Sequence, residues 1–216
     1  MVRRGELARD RFYIKAKEEG FRSRSAYKLK EIVAKFRIMK RGDTVIDLGA
    51  APGGWSQVAR EVVGVHGVVI SVDLQHIAPI EGVVTLRGDI TDQEATIKLL
   101  REALMLHGLH GCKNDSVAAA AVVLSDAAPK LSGNHVYDHY RSFELSKAAL
   151  GIATALLKPG GNFVAKIFQG EYYSIFYKSV KDVFRDARAY TPKASHKRSA
   201  EVFVIGKGFK FKALKL

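Results

Sequence analysis

Four short apolar runs in this chain close on an aspartate: "TVIDL" (44–48), "GVVISVD" (67–73), "VVTLRGD" (83–89) and "AAVVLSD" (120–126). Two more follow, "NFVAKIF" (162–168) and "EVFVIG" (201–206). Helical periodicity fills the gaps near 54–63, 93–106, 137–157 and 173–185, with a further helix over 23–36 that Ser23 or Ser25 can cap. In the long helix Leu145, Ala148, Ala149, Ile152 and Leu156 form an apolar stripe, stopped by "KPGG" at 158–161. Strands apolar on both faces and separated by helices pack as a largely parallel sheet covered on both sides. The expectation is a doubly wound α/β fold, with its ligand at the strand ends where the strand order reverses.

A chain of 216 residues fits one domain, with residues 1–41 as a basic segment, 42–206 as the core and 207–216 as a basic tail. No apolar run reaches the roughly 20 residues that span a bilayer, so no membrane partner is expected. "MVRRGELARD" lacks the apolar core of a secretory signal, and a single cysteine makes no internal disulfide; both favour a cytoplasmic protein. Of the net charge of +13, residues 1–41 carry +9 and residues 192–216 carry +6, leaving the middle at −2. Basic ends on a near-neutral body point to a polyanion, and arginines interleaved with aromatics favour nucleic acid over a merely solvated face. Arg3, Arg4, Arg9, Arg11, Lys15, Arg22 and Arg24, with Lys193, Lys197 and Arg198, are the candidate backbone contacts. Phe12, Tyr13 and Phe21 either stack a base or anchor the arm on the core. His107, His110 and Cys112 lack a fourth ligand at zinc-like spacing, and no metal is expected.

The first strand runs into "LGAAPGGW". In a dinucleotide fingerprint the second glycine admits the pyrophosphate and a helix N-terminus supplies N–H groups. Here Ala51 takes that place, followed by Pro52, which has no N–H. Such a turn suits a ligand without phosphates that carries a positive centre and ends in an adenosine: S-adenosylmethionine. Gly49, Gly53 and Gly54 shape the turn, and Asp73, 24 positions after Gly49, is placed to accept both ribose hydroxyls. Asp89 can accept from the adenine amino group, while Asp47 and Asp126 face the ammonium and sulfonium region. Helix capping is the competing role for these aspartates and accounts for one or two of them.

"DLGAAPGGWSQ", "SDAAP", "FVAKIFQGE" and "SHKRSAEVFVIG", in this order, resemble the FtsJ/RrmJ family of ribose 2′-O-methyltransferases, a likeness that runs from "SRSAYKL" to the last strand. The resemblance implies a Rossmann-like S-adenosylmethionine-dependent fold with a mostly parallel seven-stranded sheet and helices on both faces. It implies a Lys-Asp-Lys-Glu tetrad at Lys28, Asp126, Lys166 and Glu201, and cofactor contacts at Gly53, Trp55, Asp73, Asp89 and Asp126. Its compact members modify a uridine ribose of large-subunit ribosomal RNA, within the large ribosomal subunit; others act on transfer RNA anticodon loops or messenger caps. The alanine-rich approach to the fourth strand, "HGLHGCKNDSVAAAAVVL", departs from the family and puts loop geometry in question, not the tetrad.

The tetrad also makes chemical sense. A 2′-hydroxyl is a weak acid that must attack in line with the departing sulfur and lose its proton during or after attack. Lys166 acts as base if Lys28 and burial lower its pKa; if Asp126 and Glu201 dominate, it orients the hydroxyl and balances developing charge instead. Only RNA offers that hydroxyl. Two rivals remain at this stage: an NAD-dependent oxidoreductase, disfavoured by the Ala51-Pro52 turn, and a non-catalytic RNA-binding assembly factor, which has no need of the tetrad.

Overall fold

The computed structural model describes residues 10–107, 119–196 and 199–210. Seven strands make one sheet: β1 Thr44–Leu48, β2 Val68–Asp73, β3 Val83–Arg87, β4 Ala120–Ser125, β5 Leu157–Phe168, β6 Phe184–Tyr190 and β7 Glu201–Phe209. Their order is β3-β2-β1-β4-β5-β7-β6. The first five are parallel, and β7 runs antiparallel to both β5 and β6. The helices are α1 Arg11–Glu18, α2 Ala26–Phe36, α3 Gly54–Val63, α4 Gln93–Leu106, α5 His135–Leu156 and α6 Tyr173–Val183.

Every residue of β1 and β4 is buried, as strands covered on both faces must be. Alternate side chains feed two cores. Ile46, Ile70, Leu100, Leu156 and Phe163 fill one; Leu29, Val45, Trp55, Val122 and Phe203 fill the other, under α2 and α3. The strand order reverses between β1 and β4, which opens the crevice at their C-terminal ends.

Three local expectations are corrected. The helix expected over 173–185 stops at Val183, and a strand not expected from the sequence, β6 "FRDARAY", follows at once. It is an edge strand, only partly buried and rich in charge, so it carries no apolar run to reveal it. Ser25 stands at the N-cap of α2, but neither it nor Ser23 caps the helix; their hydroxyls bond each other at 2.7 Å. The "basic segment" before α2 contains a helix of its own, α1, capped by Asp10 through the Phe12 and Tyr13 N–H groups, with Ala16 its buried residue. Phe12 and Phe21 anchor this arm against the Tyr27 ring, at 5.6 and 6.0 Å between centroids.

Candidate active site

A cleft of about 320 Å³ runs along the C-terminal ends of β1 to β4. Gly49, Ala51, Asp73, Asp89 and Asp126 line it, with Leu74, Gln75, Thr91 and Ala127 from the residues just past the strands and Arg141 and Leu145 from α5. Asp73 is fixed: its Oδ2 accepts the Ala51 N–H at 2.9 Å and its Oδ1 the Gln75 N–H at 2.7 Å. Asp89 Oδ1 accepts both the N–H and the hydroxyl of Thr91. None of the four strand-end aspartates caps a helix; Asp92 does that for α4, through the Ala95 N–H.

Four N–H groups of the turn after β1 are already bonded within the protein. Those of Gly49 and Ala50 go to the Val72 carbonyl, that of Ala51 to Asp73, and that of Gly53 to the Ala50 carbonyl. A phosphate would find these four donors spent, which disfavours a dinucleotide. The glycines serve close packing. At Gly49, φ is 71° and a side-chain carbon would stand 2.6 Å from the Ala127 Cβ, while at Gly54 it would meet the Ser23 hydroxyl at 2.2 Å.

Asp47 lies inside β1, fully buried and absent from the cleft lining. Its Oδ2 accepts the Ser56 hydroxyl at 2.7 Å, which in turn accepts from Ser71 at 2.8 Å; Oδ1 has no partner. Burial, opposed by the Ser56 bond and reinforced by Asp126 and Asp73, pushes its carboxyl up to about 7. Trp55 is buried behind the turn rather than in the cleft lining. It donates to the Ser25 carbonyl at 2.9 Å and packs on Phe203 at 5.5 Å. Gly53 and Gly54 are likewise buried outside the lining.

At the Asp126 end of the cleft, Lys28, Asp126, Lys166 and Glu201 meet. Lys166 Nζ donates to the Asp126 carbonyl oxygen at 2.7 Å and stands 2.9 Å from Asp126 Oδ1 as an ion pair, off the hydrogen-bond axis. It is 3.5 Å from Glu201 Oε1, while Lys28 Nζ donates to Glu201 Oε2 at 2.7 Å. Topology explains the meeting. Because β7 runs antiparallel beside β5, its first residue, Glu201, pairs with the last of β5, Phe168, and shares a face with Phe203, the partner of Lys166. Asp126 follows β4 directly, and α2 brings Lys28 over the Phe203 ring at 5.7 Å.

Burial alone would lower the Lys166 pKa, but the charges of Asp126 and then Glu201 outweigh it and hold the ammonium above its ordinary value. Glu201 is held below its ordinary value: burial works against this, and Lys166 and Lys28 overcome it.

The expected RNA contacts divide. Arg22 and Arg24 spend their guanidinium donors within the protein. Arg22 bonds the carbonyls of Pro52 (3.2 Å), Ala78 (2.5 Å) and Pro79 (2.6 Å); Arg24 pairs with Asp10 and bonds the Ala194 carbonyl and His196. Arg11 and Lys193 are exposed. Arg3, Arg4, Arg9, Lys197 and Arg198, with His110 and Cys112, lie outside the described residues. Among the described residues no group of His, Cys, Asp and Glu is arranged to hold a metal ion.

Sequence reasoning missed Phe203 and the Arg22 clamp, which show no signal in spacing. Leu74, Gln75, Thr91 and Ala127 were within reach, because each lies one or two positions past an aspartate already singled out.

A mostly parallel sheet with one antiparallel strand between β5 and β6, and a carboxylate-lined cleft at the switch point, is the fold of S-adenosylmethionine-dependent methyltransferases. It is shared with Aeropyrum pernix fibrillarin in complex with natively bound S-adenosyl-L-methionine (TM-score 0.54, 16% identity, 84% of this chain and 76% of that one). Within that class the chain belongs to the FtsJ-like methyltransferase family, whose model matches residues 21–209. It is 53% identical to the Ribosomal RNA large subunit methyltransferase E of Methanothrix thermoacetophila, over 92% of this chain and 72% of that one. It is 46% identical to the protein of the same name from Archaeoglobus fulgidus, over 93% and 96%. A solved Plasmodium falciparum chain described as a ribosomal RNA methyltransferase superposes with a TM-score of 0.73 at 26% identity, over 88% of this chain and 98% of that one.

Proposed function

We propose that this protein methylates a ribose 2′-hydroxyl of large-subunit ribosomal RNA, most specifically a uridine, in the cytoplasm, with S-adenosylmethionine as donor and residues 1–216 acting as one methyltransferase domain. The observation that carries the chemistry is the convergence of Lys28, Asp126, Lys166 and Glu201 at the end of the cleft. The substrate is carried by relatives named for the large-subunit ribosomal RNA, among them those 53% and 46% identical.

The donor fits the cleft. Asp73 and Asp89 offer carboxylates to an adenosine, Asp126 faces a positive centre, and the Gly49, Ala50, Ala51 and Gly53 N–H groups are already bonded, which disfavours a phosphate there. When bound, the donor supplies a methyl group on a sulfonium, already activated toward nucleophiles. Lys166, held charged by its two carboxylates, donates to the 2′-oxygen, fixes its direction of attack and balances charge there. Asp126 Oδ1 and Glu201 Oε1, both beside Lys166 Nζ, are the acceptors within reach of the hydroxyl proton. Lys28 keeps Glu201 ionised for that task.

Lys166→Ala is expected to lower methyl transfer by at least about 100-fold while cofactor affinity stays within about twofold. The check is transfer of labelled methyl to total cellular RNA, with the product mapped by ribose protection from alkaline cleavage. Unchanged turnover in that variant, or methyl found on a base, would sink the assignment; label on transfer RNA would redirect the substrate.

A further inference from the structure

Beside the reactive frame lies a second, smaller groove of about 220 Å³, between the start of α5 and the start of α6, lined by His135, Val136, His139, Glu171 and Tyr172. It connects to the frame through Phe168. That residue pairs with Glu201 across the sheet, follows Lys166 by two positions, and lies with its ring 5.7 Å from that of His139. The walls are π surfaces: His135 and His139 meet edge to face at 6.3 Å, and Tyr140 meets Tyr172 at 5.6 Å. Phe143 backs Tyr172 at 5.2 Å, nearly parallel.

The groove is also stiff. On the inner face of α5, Ser142 accepts the Phe168 N–H at 3.0 Å, and Asp138 holds the preceding turn through the Ser132 N–H and hydroxyl and the Gly133 N–H. The chain passes His139 so closely that a side-chain carbon on Gly170 would stand 2.1 Å from its Nδ1. Rigid rings that remain open to solvent, His135 and Tyr140 (42% exposed) among them, form with the exposed Val136 a prebuilt contact surface.

We propose that this groove holds a nucleobase of the RNA, splayed out from a nucleotide next to the one whose ribose is methylated. The inference rests on the ribose assignment above. Phe168 links the groove to the frame that would hold the ribose, and unstacked bases are captured on aromatic side chains. No Lys or Arg lines the groove and Glu171 borders it, so a phosphate is disfavoured, while a base bearing an exocyclic amino group finds an acceptor.

The test uses the full chain with intact large ribosomal subunits and, in parallel, deproteinised large-subunit ribosomal RNA. Tyr172→Ala, Tyr172→Phe and the more exposed Tyr140→Ala are compared for KM toward RNA, for kcat, and for RNA affinity across a salt series. Tyr172→Ala is expected to raise KM roughly 5- to 100-fold, the worth of one base stacked on one ring. Its kcat should hold within about twofold and its salt slope should not change, because no phosphate contact is lost. Tyr172→Phe should match wild type, and Tyr140→Ala should show a smaller loss of the same kind.

Wild-type KM in both alanine variants would overturn the proposal, as would a flattened salt slope or an equal loss in Tyr172→Phe. A loss confined to intact large subunits, with naked RNA unaffected, would overturn it too and assign the groove to a ribosomal protein. Mapping the wild-type product in the same reactions separates the two ideas: methyl on a base removes the ribose assignment, whereas ribose methylation with no effect of Tyr172→Ala removes only the groove.

Discussion

Asp47 is a carboxyl enclosed by its own fold, with one oxygen bonded to Ser56 and the other without a partner. Its folded pKa of about 7 lies above the unfolded value near 3.9, so its contribution to stability is complete below about pH 4 and is lost as pH rises through 7. Full ionisation costs on the order of 4 kcal/mol, of which about 1 kcal/mol falls between pH 6 and 8. Asp47→Asn stays neutral throughout. Its Tm relative to wild type should therefore rise by about 2–4 °C between pH 6 and pH 8 in differential scanning calorimetry; a constant offset would contradict the assigned pKa. The two shifted tetrad groups flank that range, Glu201 in the opposite sense to Asp47 and Lys166 in the same sense. Glu201 stabilises above its unfolded value and loses that contribution in acid, and Lys166 stabilises below its unfolded value and loses it in strong base, so the frame is intact across neutral pH.

At the scale of elements, the segment between α1 and α2 works as a strap over the start of α3. Gln57 accepts the Arg22 N–H at 2.9 Å and donates to the Gly20 carbonyl at 3.0 Å, Trp55 donates to Ser25, and Ser23 fills the space that Gly54 leaves. Arg22 then ties the Pro52 turn to Ala78 and Pro79 in the connection after β2, the same connection whose Leu74 and Gln75 line the cleft. Arg22 thus joins two segments that flank the cleft. Arg22→Ala is expected to weaken S-adenosylmethionine binding by about tenfold in titration calorimetry. Lysine should not rescue it, because a single ammonium lacks the fork that spans two loops. An unchanged cofactor affinity together with a lost RNA affinity would return Arg22 to the RNA surface.

Across the whole molecule, the described parts of the two basic segments converge. Arg24 reaches Ala194 and His196, Glu31 accepts from Tyr190 and from the Lys193 N–H, and Lys207 donates to the Phe36 carbonyl. The described parts of these segments, residues 10–41 and 192–196 with 199–210, are therefore neighbours on the α2 side of the sheet, beside the tetrad that Lys28 and Glu201 complete. Arg11 and Lys193 remain exposed there. Replacing both with Glu should raise the RNA Kd and make the dependence of log affinity on log salt shallower by about 1 or more, since each lost phosphate contact removes roughly 0.7 for a single strand. An unchanged slope would place the RNA elsewhere.

The sequence by itself determined what is local. Apolar runs closing on aspartates gave strands β1 to β4, helical periodicity gave α3 to α5, and the Ala51-Pro52 turn disfavoured a pyrophosphate, because hydrogen bonding and burial within a few residues fix such features. Edge strand β6 and helix α1 were not legible, since each buries too little apolar surface to leave a pattern. The four tetrad residues were named through motif resemblance, yet nothing in their spacing brings positions 28, 126, 166 and 201 together. That was decided by β7 entering antiparallel between β5 and β6, which returns the chain to the edge where β5 ends. The same tertiary contacts decided that Arg22 and Arg24 bond within the protein. A guanidinium exposed in sequence finds its carbonyls only when distant loops are packed against it.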